Sequence, residues 1–155
     1  MNNSKTSDNS KNNPKVKLLI TLLIWIAIIF CISYVRGNNS VAISWNGSGM
    51  SAKDPSGQTY QINFGDTDSM KLISVSDYGN AAGGSQNPSY RWGLWKNDAY
   101  GIYHIYAASK TDCCIVFSTN DGYVVVNQDT ADETRNLYDY LKQLFDENGY
   151  KISVS

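Results

Sequence analysis

Among its 155 residues the chain has one histidine, His104, and three cysteines, Cys31, Cys113 and Cys114. A single histidine and no paired cysteine spacing exclude a zinc site. Cys113 and Cys114 are adjacent, and neighbours on a strand point to opposite faces. A disulfide between them is strained, so buried free thiols are expected. A cysteine nucleophile needs a base, and only His104, on a neighbouring strand, is available. The expected state of His104 is a side chain packed or hydrogen-bonded on the sheet. Asp66, Asp68 and Asp77 fall short of the ligand number and order of a calcium loop, and a solvated turn is expected there. Gly47-Ser48-Gly49 lacks the Gly-Lys-Ser/Thr that a phosphate cradle needs. No acid, base and nucleophile converge, so the chain is expected to be non-enzymatic, with no cofactor and no metal.

Positive charge is scarce after Gly37. Residues 37–155 carry eight Lys or Arg against thirteen Asp or Glu, a net −5. Phosphate backbones require a basic face, so nucleic acid is excluded as a partner. The same sign opposes recruitment to anionic lipid.

Charge is absent altogether from Leu18–Val35, LLITLLIWIAIIFCISYV. As a helix this run spans roughly 27 Å, close to the ~30 Å of bilayer hydrocarbon. It has no polar face to turn toward water. The bulky exit, Phe30 to Arg36, lacks the small residues of a leader cleavage site, so an uncleaved single-pass transmembrane helix is expected. Residues 1–17, Asn-, Ser- and Lys-rich, carry +3 and read as a disordered cytoplasmic tail. Only Arg36 marks the exit, which places the following domain outside the cytoplasm. Residues 36–40 read as a linker, and 41–155 form one domain, long enough for its own core.

Within that domain the period switches to two. Val41–Trp45, Gly49–Lys53, Thr59–Phe64, Met70–Val75, Tyr90–Lys96, Gly101–Ala108, Cys113–Phe117 and Tyr123–Val126 read as strands. Asp54-Pro55-Ser56-Gly57 and Asp121-Gly122 are turns, the second a hairpin signal. Ser76–Ser89, with Ala81–Gly84 all small, reads as a mobile or functional loop. Thr130–Glu133 is a capping box. It opens a helix whose apolar stripe is Leu137, Leu141 and Leu144, ended by Gly149. Tyr150–Val154 reads as a short trailing strand. The class is mainly β (α+β): about seven antiparallel strands in a bent, partly open sheet capped by a C-terminal helix.

This order resembles the pleckstrin-homology (PH) superfold, closest to PH-like domains attached to bacterial membrane proteins. The stretches that carry it are Gly57–Ile62, Trp92–Lys96 leading to Gly101-Ile102-Tyr103, Cys113–Thr119 turning through Asp121-Gly122 into Tyr123–Asn127, and the helix after Asp129-Thr130. It covers roughly residues 41–148. The resemblance implies an interaction or assembly module. Eukaryotic relatives often clamp inositol phosphates near the first strand pair, but Lys53-Asp54-Pro55-Ser56-Gly57 offers one Lys beside one Asp and no bidentate clamp. Specific lipid headgroup binding is therefore not expected.

Six aromatics, Tyr90, Trp92, Trp95, Tyr100, Tyr103 and Tyr106, crowd two successive strands. They cannot all enter one small core, so some lie exposed or under the Ser76–Ser89 loop. Exposed aromatics favour a partner surface. Tyr90, Trp92, Trp95 and Tyr100 are the expected partner contacts. The expectation is a membrane-anchored scaffold domain that binds a protein partner. The alternative is a lipid- or small-ligand-binding sensor that uses the open end of the sheet.

Overall fold

The computed structural model describes residues 14–38 and 40–155, with side chains in the first helix described for residues 16–31. The chain falls into two compact units, Met1–Asn38 and Asn39–Ser155. The expected disordered tail lies outside the described residues as far as Asn13.

In the first unit, helix α1 runs Pro14–Asn38. It therefore starts before the apolar run and takes in residues 36–38 of the expected linker. All side chains described in it, residues 16–31, are exposed, including Leu18, Ile24, Trp25 and Phe30. Among the described residues no helix is long and apolar enough to cross a membrane.

The second unit is two sheets and a helix. Strands β1 (Ala42–Trp45), β2 (Gly49–Lys53) and β3 (Thr59–Asn63) form an antiparallel three-stranded sheet. Its connections are short and locally satisfied. Asn46 Oδ1 accepts from the backbone N–H of Ser48 and Gly49, and Asp54 Oδ1 accepts from those of Ser56 and Gln58. These are the side-chain-to-backbone bonds that make Asn and Asp turn formers.

A 3₁₀ turn at Phe64–Asp66 leads into the larger sheet. Its strands are β4 (Thr67–Ser74), β5 (Asn80–Ala81), β6 (Ser85–Gln86), β7 (Tyr90–Asn97), β8 (Gly101–Ala108), β9 (Cys113–Thr119), β10 (Gly122–Val126) and β11 (Ser153–Val154). Across the sheet the order is β11-β4-β9-β10-β8-β7-β5, with β6 also on β7.

Three expectations need correction. Among the described residues eleven strands in two sheets replace about seven in one. The sheet is not antiparallel throughout: β10 runs parallel to β8, and β11 parallel to β4. The trailing strand is two residues long rather than five. The β8–β10 ladder arises because β9 lies on the far side of β10, so the chain leaving β8 must cross over before the β9–β10 hairpin returns it. Asn127, 3% exposed, fastens that crossover. Its Oδ1 accepts from Ala108 N at 2.6 Å, and its Nδ2 donates to the carbonyls of Ala108 and Thr111. Such long-range pairing leaves no local signature in residue periodicity.

Helix α2 (Ala131–Asn148) begins with the expected capping box, Thr130 Oγ1 accepting from Glu133 N. It ends at Gly149 in the left-handed conformation, φ 70°. Its buried residues Thr134, Leu137, Tyr138, Leu141 and Phe145 fall at helical spacing. The last four join one core with Phe64, Met70, Ile115 and Phe117, and with Met50 and Ile62 of the small sheet. A second core lies on the opposite face of the large sheet: Val75, Trp95, Tyr103, Ile105, Ala107, Cys114, Val116 and Val125. No residue of α2 belongs to it. Tyr78 and Tyr100 pack on it instead, which brings the chain between β4 and β7 into the site.

A candidate cleft at the sheet edge

Strand β7 alternates, and this divides the aromatics. Tyr90 and Trp92 belong to the helix side of the sheet, Trp92 pairing with Tyr106 and packing half-buried on the main core. The Tyr90 hydroxyl donates to Asp129 Oδ1 at 2.9 Å. Trp95 pairs with Tyr103 and lies on the other face, only 4% exposed. Tyr100 is half-buried, its ring 5.5 Å from Tyr103 and 5.0 Å from Tyr123. The structure therefore does not gather Tyr90, Trp92, Trp95 and Tyr100 into one surface.

Part of Ser76–Ser89, expected as a mobile or functional loop, is a ribbon laid along β7. Asn80 and Ala81 pair with Lys96 and Trp95, and Ser85 and Gln86 pair with Trp92 and Arg91. Between them the N–H groups of Ala82 and Gly83 both donate to Leu94 O. The small residues serve close approach rather than mobility. A Cβ on Gly84 would lie 2.3 Å from Trp92 O and 2.8 Å from Trp95 Nε1. Opposite it, Gly93 has φ +85° and would press a Cβ to 2.7 Å from Gly84 Cα. At the ribbon's start, Asp77 is held by Asn97 Nδ2 donating to its carbonyl and by its own Oδ1 accepting from Gly79 N.

This ribbon and β7 line an open cleft of about 500 Å³. Arg91, Tyr78, Trp95 and Asp77 contribute side chains to it, and Gly84–Gln86 form part of its wall. A second depression of about 440 Å³, lined by Pro88 and Ser109, shares Arg91 with the first. The Arg91 guanidinium carbon sits 4.5 Å from the centroid of the Tyr78 ring, a cation–π contact. Tyr78 is itself fixed. Its hydroxyl donates to Thr111 O at 3.4 Å, and its carbonyl accepts from the Tyr103 hydroxyl at 2.7 Å. Burial pushes the Tyr78 hydroxyl well above the usual phenol range, the Cys114 sulfur adds to this, and Arg91 pulls the other way. Burial likewise raises Tyr103 to about 12, with Asp77 reinforcing it.

Arg91, Tyr78 and Asp77 were not among the expected contacts. The available signal was alternation: an arginine between Tyr90 and Trp92 shares the face of Trp95.

The remaining candidates are dispersed. His104 stacks on Tyr60 at 4.0 Å between centroids, its Nδ1 is buried without a hydrogen-bond partner, and burial lowers its pKa. Cys113 and Cys114 are both buried and free. Burial pushes the Cys114 thiol up to about 11. β10 separates the strands of Cys114 and His104, and the two belong to opposite faces, so the thiol–imidazole pair conceivable from sequence does not form. Asp66 accepts from Asn63 Nδ2 at 2.9 Å, and among the described residues no three His, Cys, Asp or Glu side chains converge on a metal-sized site.

No family model, no curated protein and no solved structure matches this chain.

Proposed function

We propose that the chain is a single-pass membrane protein displaying a non-enzymatic β domain, and that this domain binds a protein partner through the cleft between the Asp77–Gln86 ribbon and β7. The observation that carries the binding reading is the open cleft along the ribbon edge, with Arg91 in its lining and over the Tyr78 ring. The anchor reading is supported by eighteen consecutive uncharged residues, Leu18–Val35, whose described portion exposes Leu, Ile, Trp and Phe side chains on all sides. Apolar surface of that extent is stable in lipid and costly in water. The lysines before the run, against Arg36 alone after it, support a cytoplasmic N-terminus and an extracytoplasmic domain. PH-likeness is a further part of the proposal. It is supported by a β domain closed by a C-terminal helix on the sheet, and the parallel β8–β10 ladder is its point of departure.

Position 86 tests the binding reading. A photo-crosslinking amino acid at Gln86, on the exposed cleft wall, is expected to give one discrete protein adduct in native membranes. The same group at Lys142, exposed on α2, is expected to give none. No adduct at position 86, or identical adducts at both positions, contradicts the proposal.

A further inference from the structure

We infer that the cleft is a carboxylate-binding site, with the Arg91 guanidinium as the receiving group. This rests on the partner-binding reading above and names the chemistry of what is received. The Arg91 guanidinium carbon lies over the Tyr78 ring, 4.5 Å from its centroid, and a cation–π contact consumes no N–H donor. Among the described residues the only ion pair is Arg135 with Asp132, so Arg91 has no carboxylate of its own within 4.0 Å. Its strand partners leave it room, since it faces Ala107 on β8 and exposed Gln86 on β6. Arg91 and Gln86 line both depressions. A planar fork of donors with no ion-pair partner among the described residues matches a carboxylate in bidentate geometry.

The surroundings select against multiply charged anions. Asp77 lines the same cleft, and neither depression has a second cation in its lining. The domain's net −5 adds to the repulsion. A carboxylate adds one negative charge and a phosphate nearly two, so the carboxylate is the better fit.

Two sources share this chemistry, an acidic side chain and a chain terminus, and the probes separate them. Full-length chain in detergent micelles is titrated, with ¹H–¹⁵N NMR on the Arg91 Nε–Hε and Trp95 indole signals. The probes are acetyl-alanyl-glutamyl-alanine amide, acetyl-alanyl-glutaminyl-alanine with a free terminus, its amide as neutral control, and inorganic phosphate. Saturable shifts are expected with at least one carboxylate peptide, weaker with phosphate and absent with the neutral amide. Arg91→Gln is expected to weaken binding about tenfold or more, as loss of a charge-assisted bidentate contact requires. Arg91→Lys keeps the charge but loses the fork, and is expected to fall between the two. Equal shifts in wild type and Arg91→Gln, or none with either carboxylate peptide, overturn the inference. A crosslink at position 86 that persists unchanged in Arg91→Gln overturns it while leaving partner binding intact. Carboxylate binding without any crosslink overturns the protein partner and leaves the site.

Discussion

His104 shows how one side chain ties burial to pH. It stacks on Tyr60 with its Nδ1 buried and unpaired, so protonation would enclose a cation with no acceptor. Burial lowers its pKa below the ordinary 6.5. The unfolded chain therefore takes up the proton first as pH falls, and the folded state loses stability relative to it. The contribution is whole above pH 6.5 and declines below that value until the folded pKa is passed. Thermal melts of wild type and His104→Phe between pH 7.5 and 5.5 are expected to diverge, with the wild type losing more. Parallel curves would show that His104 takes no part in the pH response. Arg91 makes the complementary point. Its alternation with Trp95 was readable, but its stacking partner, thirteen positions upstream at Tyr78, was not.

Among the elements, the ribbon Asn80–Gln86 is the clearest departure from expectation. Small residues in Ala81–Gly84 signal freedom when taken alone. In the fold they signal a backbone pressed against β7. Both uses of glycine leave the same mark in a sequence. Gly84→Ala is expected to destabilise by about 1–3 kcal/mol, the range of overpacked sites. It should also speed amide exchange at Ala82 and Gly83, whose N–H groups depend on Leu94 O. Gly47→Ala, with nothing within 4 Å of the new methyl, is expected to leave both unchanged. Denaturant melts with hydrogen exchange check the pair, and equal behaviour of the two variants would contradict the close-approach account. Helix α2 was legible almost entirely. Its capping box, its spaced apolar residues and Gly149 are local signals, and local physics produces them. The long strands β4 and β7–β10 were legible for the same reason. Their neighbours were not: the parallel β8–β10 ladder depends on contacts across the crossover that Asn127 fastens, and no spacing encodes that.

At the scale of the whole molecule, two units with opposite surface character share one chain. One is an apolar helix with its described side chains bare. The other buries two cores on the two faces of one sheet, with an acidic net charge. The expected contact strand, Tyr90–Lys96, carries its aromatics on both packed faces of β7, and the cleft lies along its ribbon edge. Burial of Trp95 beneath that ribbon also makes it a poor probe of binding, since its removal would disturb the second core. The helix bears on every functional statement, because a domain held at a bilayer meets partners confined to the same surface. Alkaline carbonate extraction of membranes carrying the full-length chain tests this directly. Retention of the chain in the membrane pellet is the predicted result; release into the supernatant would contradict the anchor and the tethering function built on it.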